Sequence, residues 1–242
     1  MAMSKSAIII GAGDATGGAI ARRFAREGYI TACTRRTAEA LKPLIEDIRA
    51  AGNVAHGFGV DARDEEAMVA FFEQVERDIA PIDVLVFNIG ANVYFPITET
   101  TARVYRKVWE MAAFAGFLAG REAAKVMIPR GAGTILFTGA TASMRGAAGF
   151  SAFSGAKFAL RALAQSMARE LGPRGIHVAH AIIDGAIDTA WIKENFPSRY
   201  ALKDQGGILD PDAIAETYWQ IHSQPKNAWT HEIDLRPWME KF

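Results

Sequence analysis

The chain has 242 residues, half of them hydrophobic, which suffices for one well-buried core and leads us to expect a single domain over 1–242. Its 27 basic and 27 acidic side chains cancel, so no net charge draws it to nucleic acid or an anionic membrane, and its expected partners are small molecules or copies of itself. One cysteine, Cys33 in "ITACT", excludes an intrachain disulfide and a cysteine metal cluster, and it reads as a small buried hydrophobe in a reducing compartment.

The opening "MAMSKSAIIIGAG" has an apolar run too short for a signal core or a spanning helix, so a cytoplasmic protein with no membrane contact is expected. "AIII" at 7–10 reads as a strand, followed by helical periodicity over 17–28. The alternation repeats with "YITACT" and 37–51, then "VLVFN" at 84–88 and 101–128. "TILFT" at 134–138 precedes a helix over about 153–171, and "HVAHAII" at 177–183 closes the series. Strand and helix in turn predict an α/β fold, a doubly wound parallel sheet with helices on both faces. Pro197, Gly206 and Gly207 interrupt 184–209, and the stretch 189–209 is expected to form a lid, with Trp191 and Phe196 as an apolar wall. The end, "WTHEIDLRPWMEKF", predicts a last strand and an aromatic tail over 229–242, with Trp229, Trp238 and Phe242 seeking a partner surface.

In "IIIGAGDATGGAIARRFA", Gly11, Gly13, Gly17 and Gly18 sit between a strand and a helix. Glycines there let backbone amides and the helix N-terminus approach a pyrophosphate. An ordinary tight turn is the other reading of the same residues, and Gly18 can serve helix packing alone. Near the end of the second strand stand Thr34, Arg35 and Arg36, with no carboxylate at 29–36. A carboxylate in that place holds the ribose hydroxyls of NAD, whereas guanidinium groups suit a 2′-phosphate, so NADP(H) is expected in preference to NAD(H). Two solvated arginines at a helix entry are the alternative.

With these motifs in place, the whole chain resembles the short-chain dehydrogenase/reductase family, whose fold is a single Rossmann-type domain. The family usually carries Thr-Gly, three residues, Gly, one residue, Gly. Here Ile10-Gly11, Ala15 and Gly17 match those positions, so the resemblance implies a cofactor turn of Gly11, Gly13, Asp14, Ala15, Thr16 and Gly17. Ala15 replaces the middle glycine, which a turn accommodates if its φ is negative. "DVLVFNIGA" resembles the family's Asn-Asn-Ala-Gly segment, keeping Asn88 and Gly90 but carrying Phe87 and Ile89. "GVDARDEE" resembles the adenine-contacting segment and nominates Asp61 and Ala62, while Asp64 reads as a helix cap. "IIDGAIDT" resembles the Pro-Gly segment that meets the nicotinamide amide and the phosphates, with Asp184 for proline and Gly185, Ile187 and Thr189 in matching places.

The family's tyrosine acid, its lysine four residues later, its serine and its asparagine fall here on Phe153, Lys157, Ala140 and Ala112. The resemblance is thus to a divergent member lacking the usual catalytic tyrosine, with Lys157 left to bind the cofactor ribose. Hydroxyls at Thr138, Thr141 and Ser143 lie nearby, and a shift of one to three residues would carry Thr141 or Ser143 toward a carbonyl; loop capping is their other role. Tyr94, in "GANVYFPIT", follows a cofactor-binding strand and is a further candidate, against packing with Phe95. His177 and His180 lie on a strand and read as structural, and no metal spacing is visible. Two functions follow: an NADP(H)-dependent oxidoreductase acting on an unidentified small carbonyl or alcohol, or a catalytically impaired NADP(H)-binding sensor or assembly subunit. The helices at 101–128 and 153–171 resemble those that pair between subunits in the family, so a homodimer or homotetramer is expected.

Overall fold

A computed structural model describes residues 4–241. Phe242, expected in the aromatic tail, lies outside the described residues. The order of elements is β1 (Ser6–Ile10), α1 (Thr16–Arg26), β2 (Ile30–Arg35), α2 (Lys42–Ala50), β3 (Ala55–Gly59), α3 (Glu65–Asp78) and β4 (Ile82–Phe87). Then come α4 (Ala102–Trp109), α5 (Ala115–Met127), β5 (Gly133–Thr138), α6 (Ser151–Leu171) and β6 (Ile176–Ile183). The chain ends with α7 (Ala190–Asn195), α8 (Pro197–Tyr200), α9 (Pro211–His222) and β7 (Glu232–Leu235).

All seven strands form one parallel sheet in the order β3-β2-β1-β4-β5-β6-β7. The order reverses direction between β1 and β4, which opens a crevice at the carboxyl ends of the strands. Central strands such as β1 are buried along their whole length because both faces are covered. On one face Ile9, Val84, Val86 and Ala179 pack against Ile20 and Phe24 of α1 and Tyr218 of α9. On the other, Ile8, Leu85, Phe137 and Val178 meet Phe72 of α3, Leu118 of α5 and Leu160 of α6. Among the described residues no helix is long and apolar enough to cross a membrane.

Three elements, β3, α3 and α9, lie outside the expected series, although the buried Met68, Phe71, Phe72 and Val75 of α3 keep helical spacing. β3 is the edge strand "AHGFG", with no β-branched residue, and Gly57 in it lies so close to α2 that an added Cβ would sit 3.2 Å from Ile45. α3 begins where the Asp64 carboxylate accepts from the Ala67 N–H at 3.1 Å, the cap anticipated for that residue. α9 crosses behind the sheet after an Asp210 cap. The expected helix over 101–128 is divided by a π-helical turn at Glu110–Phe114, which carries Ala112. Such turns displace one backbone register and recur at functional sites.

Candidate functional site

The turn after β1 is built for close backbone approach. Gly11 has φ +85°, which an L side chain resists, and a Cβ on Gly17 would stand 2.4 Å from the Gly11 carbonyl oxygen. Asn88 braces the turn, its side-chain amide donating to the Gly11 oxygen at 3.2 Å. Ala15 has φ −100°, so its methyl sits in the turn without left-handed strain. Thr16 then opens α1, so the helix N-terminus, with its positive dipole end, follows directly on this turn. Gly18 is needed as well, because a Cβ there would approach the Gly13 oxygen to 2.7 Å. Beside Gly13 and Gly90 the space is open.

In front of this turn lies a cavity lined by Gly11, Thr34, Arg35, Arg36, Asp61 and Ala62. Val60, Ile89, Arg63 and Met111 complete its wall; Arg63 and Met111 are not evident from sequence, where "GVDARDEE" offers Arg63 only as one charge among several. Arg35 donates to the exposed Asp14 carboxylate at 3.1 Å and to the Ala40 carbonyl at 3.2 Å. Arg63 forks onto Asp61 at 2.9 and 2.5 Å, and that hydrogen-bonded pairing holds the Asp61 carboxyl below its ordinary range.

The second half of the site belongs to β4, β5 and α6. Lys157 is 2 % exposed, and its Nζ donates to the Thr138 carbonyl at 2.8 Å and the Ile89 carbonyl at 3.2 Å. Burial pulls its pKa down to about 8. One turn earlier the Phe153 ring lies with its centroid 6.0 Å from that nitrogen. Phe153 and Ala112 are buried in one apolar cluster with Ala91, Val108 and Ala156, against which Ala140, Met111 and Phe150 pack.

The nearby hydroxyls are committed elsewhere. Ser143 is fully buried and its Oγ accepts from the Ala140 N–H at 3.1 Å. Thr141 donates to the Asp184 carboxylate, and Thr138 pairs with the Tyr218 hydroxyl at 2.8 Å. Asp184 is itself buried, with Arg236 at 3.2 Å and Arg145 at 3.8 Å. Tyr94 stands on the rim, 63 % exposed, its ring against Gly149 and edge-on to Phe150 at 5.3 Å. Gly185 (φ +152°) packs under Pro237, Ile187 bridges to Leu209, and Thr189 caps α7 by accepting from the Ile192 N–H at 3.1 Å.

Below this floor is a polar array that the sequence left as structural. His180 is fully buried on β6, with Nδ1 3.0 Å from Glu232 of β7, which in turn forks onto Arg161 of α6 at 2.7 and 2.6 Å. Its Nε2 has no hydrogen-bond partner and stands 2.3 Å from where a Gly139 Cβ would lie. Burial lowers its pKa to about 4, against the partial support of Glu232. His177 is occupied in stacking on Trp229 at 4.8 Å. Among the described residues no group of His, Cys, Asp or Glu could hold a metal ion.

The tail turns back onto its own chain. Trp238 donates from its indole to the Gln205 carbonyl at 3.0 Å, and Glu240 pairs with Arg199 at 3.2 Å, although the Trp238 ring stays 76 % exposed.

Comparison with known proteins gives a consistent picture. The family described as short chain dehydrogenase matches residues 5–199. A short-chain dehydrogenase from Rhodopseudomonas palustris shares 49 % identity over 97 % of this chain and 99 % of that one, with a TM-score of 0.84. A metagenomic short-chain oxidoreductase solved in complex with NADP shares 25 % identity over 98 % of this chain and 99 % of its own, with a TM-score of 0.83. The 2-dehydro-3-deoxy-D-gluconate 5-dehydrogenase of Pseudoalteromonas atlantica is 30 % identical over 59 % of this chain, a match spanning 56 % of its own length.

Proposed function

This chain belongs to the short-chain dehydrogenase family, and on that premise we propose that it is an NADP(H)-dependent oxidoreductase acting on a small carbonyl or alcohol. The observation that carries the reading is a single cavity lined by Gly11 of the turn together with Arg35 and Arg36. The residues fit a dinucleotide: the turn excludes any Cβ at Gly17, and two guanidiniums line the same cavity, the groups that a ribose 2′-phosphate calls for. In this reading Gly11, Gly13, Asp14, Ala15, Thr16 and Gly17 cradle the pyrophosphate, while Asp61 and Ala62 face the adenine. Asn88 and Gly90 border the middle of the cofactor, Lys157 holds the nicotinamide ribose, and Gly185, Ile187 and Thr189 flank the nicotinamide end. When bound, the nicotinamide supplies or accepts the hydride.

With Phe153 in the position of the family's acid, no phenol stands beside Lys157. Water held near Lys157, Ser143 or Tyr94 would then supply the proton. The geometry favours Lys157, because Ser143 is enclosed and Tyr94 rides the rim. A second reading, an NADP(H)-binding sensor or assembly subunit without turnover, is favoured by the apolar cluster that unites Phe153, Ala112 and Ala140.

Cofactor binding tests the assignment directly. NADPH should bind at least tenfold more tightly than NADH, about 1.4 kcal/mol, and replacing Arg35 and Arg36 with alanine should erase the difference. Equal affinities in the parent protein would refute the preference. We also propose a homodimer or homotetramer, supported by Tyr105, Trp109 and Phe117 on α4–α5 and Phe158 on α6, all exposed. Light scattering at micromolar concentration should report twice or four times the mass of the chain; a monomer would refute it.

A further inference from the structure

Three segments follow the carboxyl ends of neighbouring strands: 91–97 after β4, 139–150 after β5 and 185–196, which includes α7, after β6. Each carries large apolar side chains at the carboxyl end of the sheet. Tyr94, Phe95, Met144, Trp191 and Phe196 are all exposed there. These are not loose ends. The Phe95 N–H donates to the Gly149 carbonyl at 2.8 Å, which fastens the first loop to the second, and Trp191 packs on Phe196 at 5.3 Å.

The wall behind the rim is equally poor in polar groups. Phe153, Ala112 and Ala140 merge with Phe150 and Met111 into the apolar cluster. The hydroxyls that could have faced a ligand are spent within the protein: Thr141 on Asp184, Ser143 on the Ala140 amide, Thr138 on Tyr218. The buried carboxylate here, Asp184, is met by Arg236 at 3.2 Å, with the half-exposed Arg145 at 3.8 Å. A ligand hydroxyl drawn from water against this wall would find few unspent partners, whereas an apolar ring would exchange water for aromatic and aliphatic contact.

We propose that the site takes a neutral, largely apolar carbonyl compound of ring size, and that it discriminates against polyols and sugar acids because the inner wall offers their hydroxyls no partner. The inference rests on the oxidoreductase reading for the location of the site and goes beyond it in naming the ligand's chemistry. Each unmet hydroxyl weakens binding by about tenfold, so a compound with several falls far behind a ketone of similar volume.

The test is calorimetric titration of the full chain, with and without saturating NADP+, using 1-tetralone as the neutral bicyclic ketone and D-gluconate as the sugar acid. Tetralone should bind at least thirtyfold more tightly than gluconate. Trp191→Ala and Tyr94→Ala change exposed side chains, so the fold should persist by circular dichroism; each should weaken tetralone at least fivefold and leave NADP+ affinity unchanged, with Tyr94→Phe restoring the parent value. Gluconate binding as tightly as tetralone would overturn the proposal, as would absent tetralone binding or indifference to both alanine variants. Failure of NADP+ to bind would instead strike the dinucleotide reading, and the titrations without cofactor would still decide for or against an apolar ligand.

Discussion

The two halves of the sheet carry different chemistry. Around β1, β2 and β3 guanidiniums line the cavity, Arg35 paired with the exposed Asp14 and Arg63 with Asp61, beside open space at Gly13. Around β4, β5 and β6 the polar groups are sealed into the protein and the surface left over is apolar. A nucleotide-binding half can thus persist while the neighbouring half changes its demands, because the first is fixed by backbone geometry and the second by a few side chains. Fold alone does not decide which chemistry the second half retains.

The largest expected effect breaks the first half. In Gly17→Ala the new methyl would meet the Gly11 carbonyl oxygen at 2.4 Å and the Ala12 Cα at 2.8 Å, both backbone, so the turn must move as a unit. NADP+ affinity should fall at least a thousandfold, about 4 kcal/mol. Fluorescence titration reads it, and an unchanged affinity would show that this turn is packing and no cradle.

A smaller effect probes the sealed polarity under the second half. Burial lowers the His180 pKa from 6.5 to about 4, so between those values the unfolded chain binds a proton that the folded chain refuses. Stability from this group is therefore complete above pH 6.5 and is lost as pH falls toward 4, by about 3 kcal/mol. Glu232, Arg161 and Lys157 are the charged groups that act on it. Urea unfolding of the parent and of His180→Asn should diverge over that window, the parent losing more; His56, His177 and His222 are common to both and cancel. Parallel curves would mean that His180 is protonated in the fold and that the array with Glu232 is an ion pair.

Much of this division was legible in the residues. The glycines declare themselves because close backbone approach demands them at particular places, and Arg35 and Arg36 stand out as two cations at a strand end, which the structure sets on the cavity wall. Phe153 beside Lys157 was equally plain, since helical spacing alone puts them together. His180 was not, because its partner Glu232 is 52 residues away and the two meet only through the pairing of β6 with β7. The tail was half legible: its strand follows from local pattern, but its return onto Gln205 and Arg199 depends on where the segment after β6 comes to rest. β3 stayed hidden because an edge strand with two glycines carries no hydrophobic alternation.

The smallest expected effect falls where the halves meet. Phe153→Tyr places a phenol near Lys157 Nζ, which lies 6.0 Å from the present ring centroid. A charged ammonium favours phenolate and lowers the tyrosine pKa from about 10, while burial opposes it. Because the Lys157 pKa is about 8, that help exists only while the ammonium is charged and fades above it. If the wall beside Phe153 borders a ligand, NADPH-dependent reduction of 1-tetralone should rise about tenfold, or 1.4 kcal/mol, with a pH dependence absent from the parent. The gain stays below a full acid contribution because Ala140 offers the carbonyl no hydrogen bond. If the wall is instead closed core, the new hydroxyl is buried without a partner, and the variant should lose about 1–3 kcal/mol of stability and gain no activity. Steady-state rates and urea midpoints on the same preparation separate the outcomes: a faster, equally stable variant marks an oxidoreductase site that lost its acid, and a slower, weaker one marks a cofactor-binding protein whose catalytic hollow has filled.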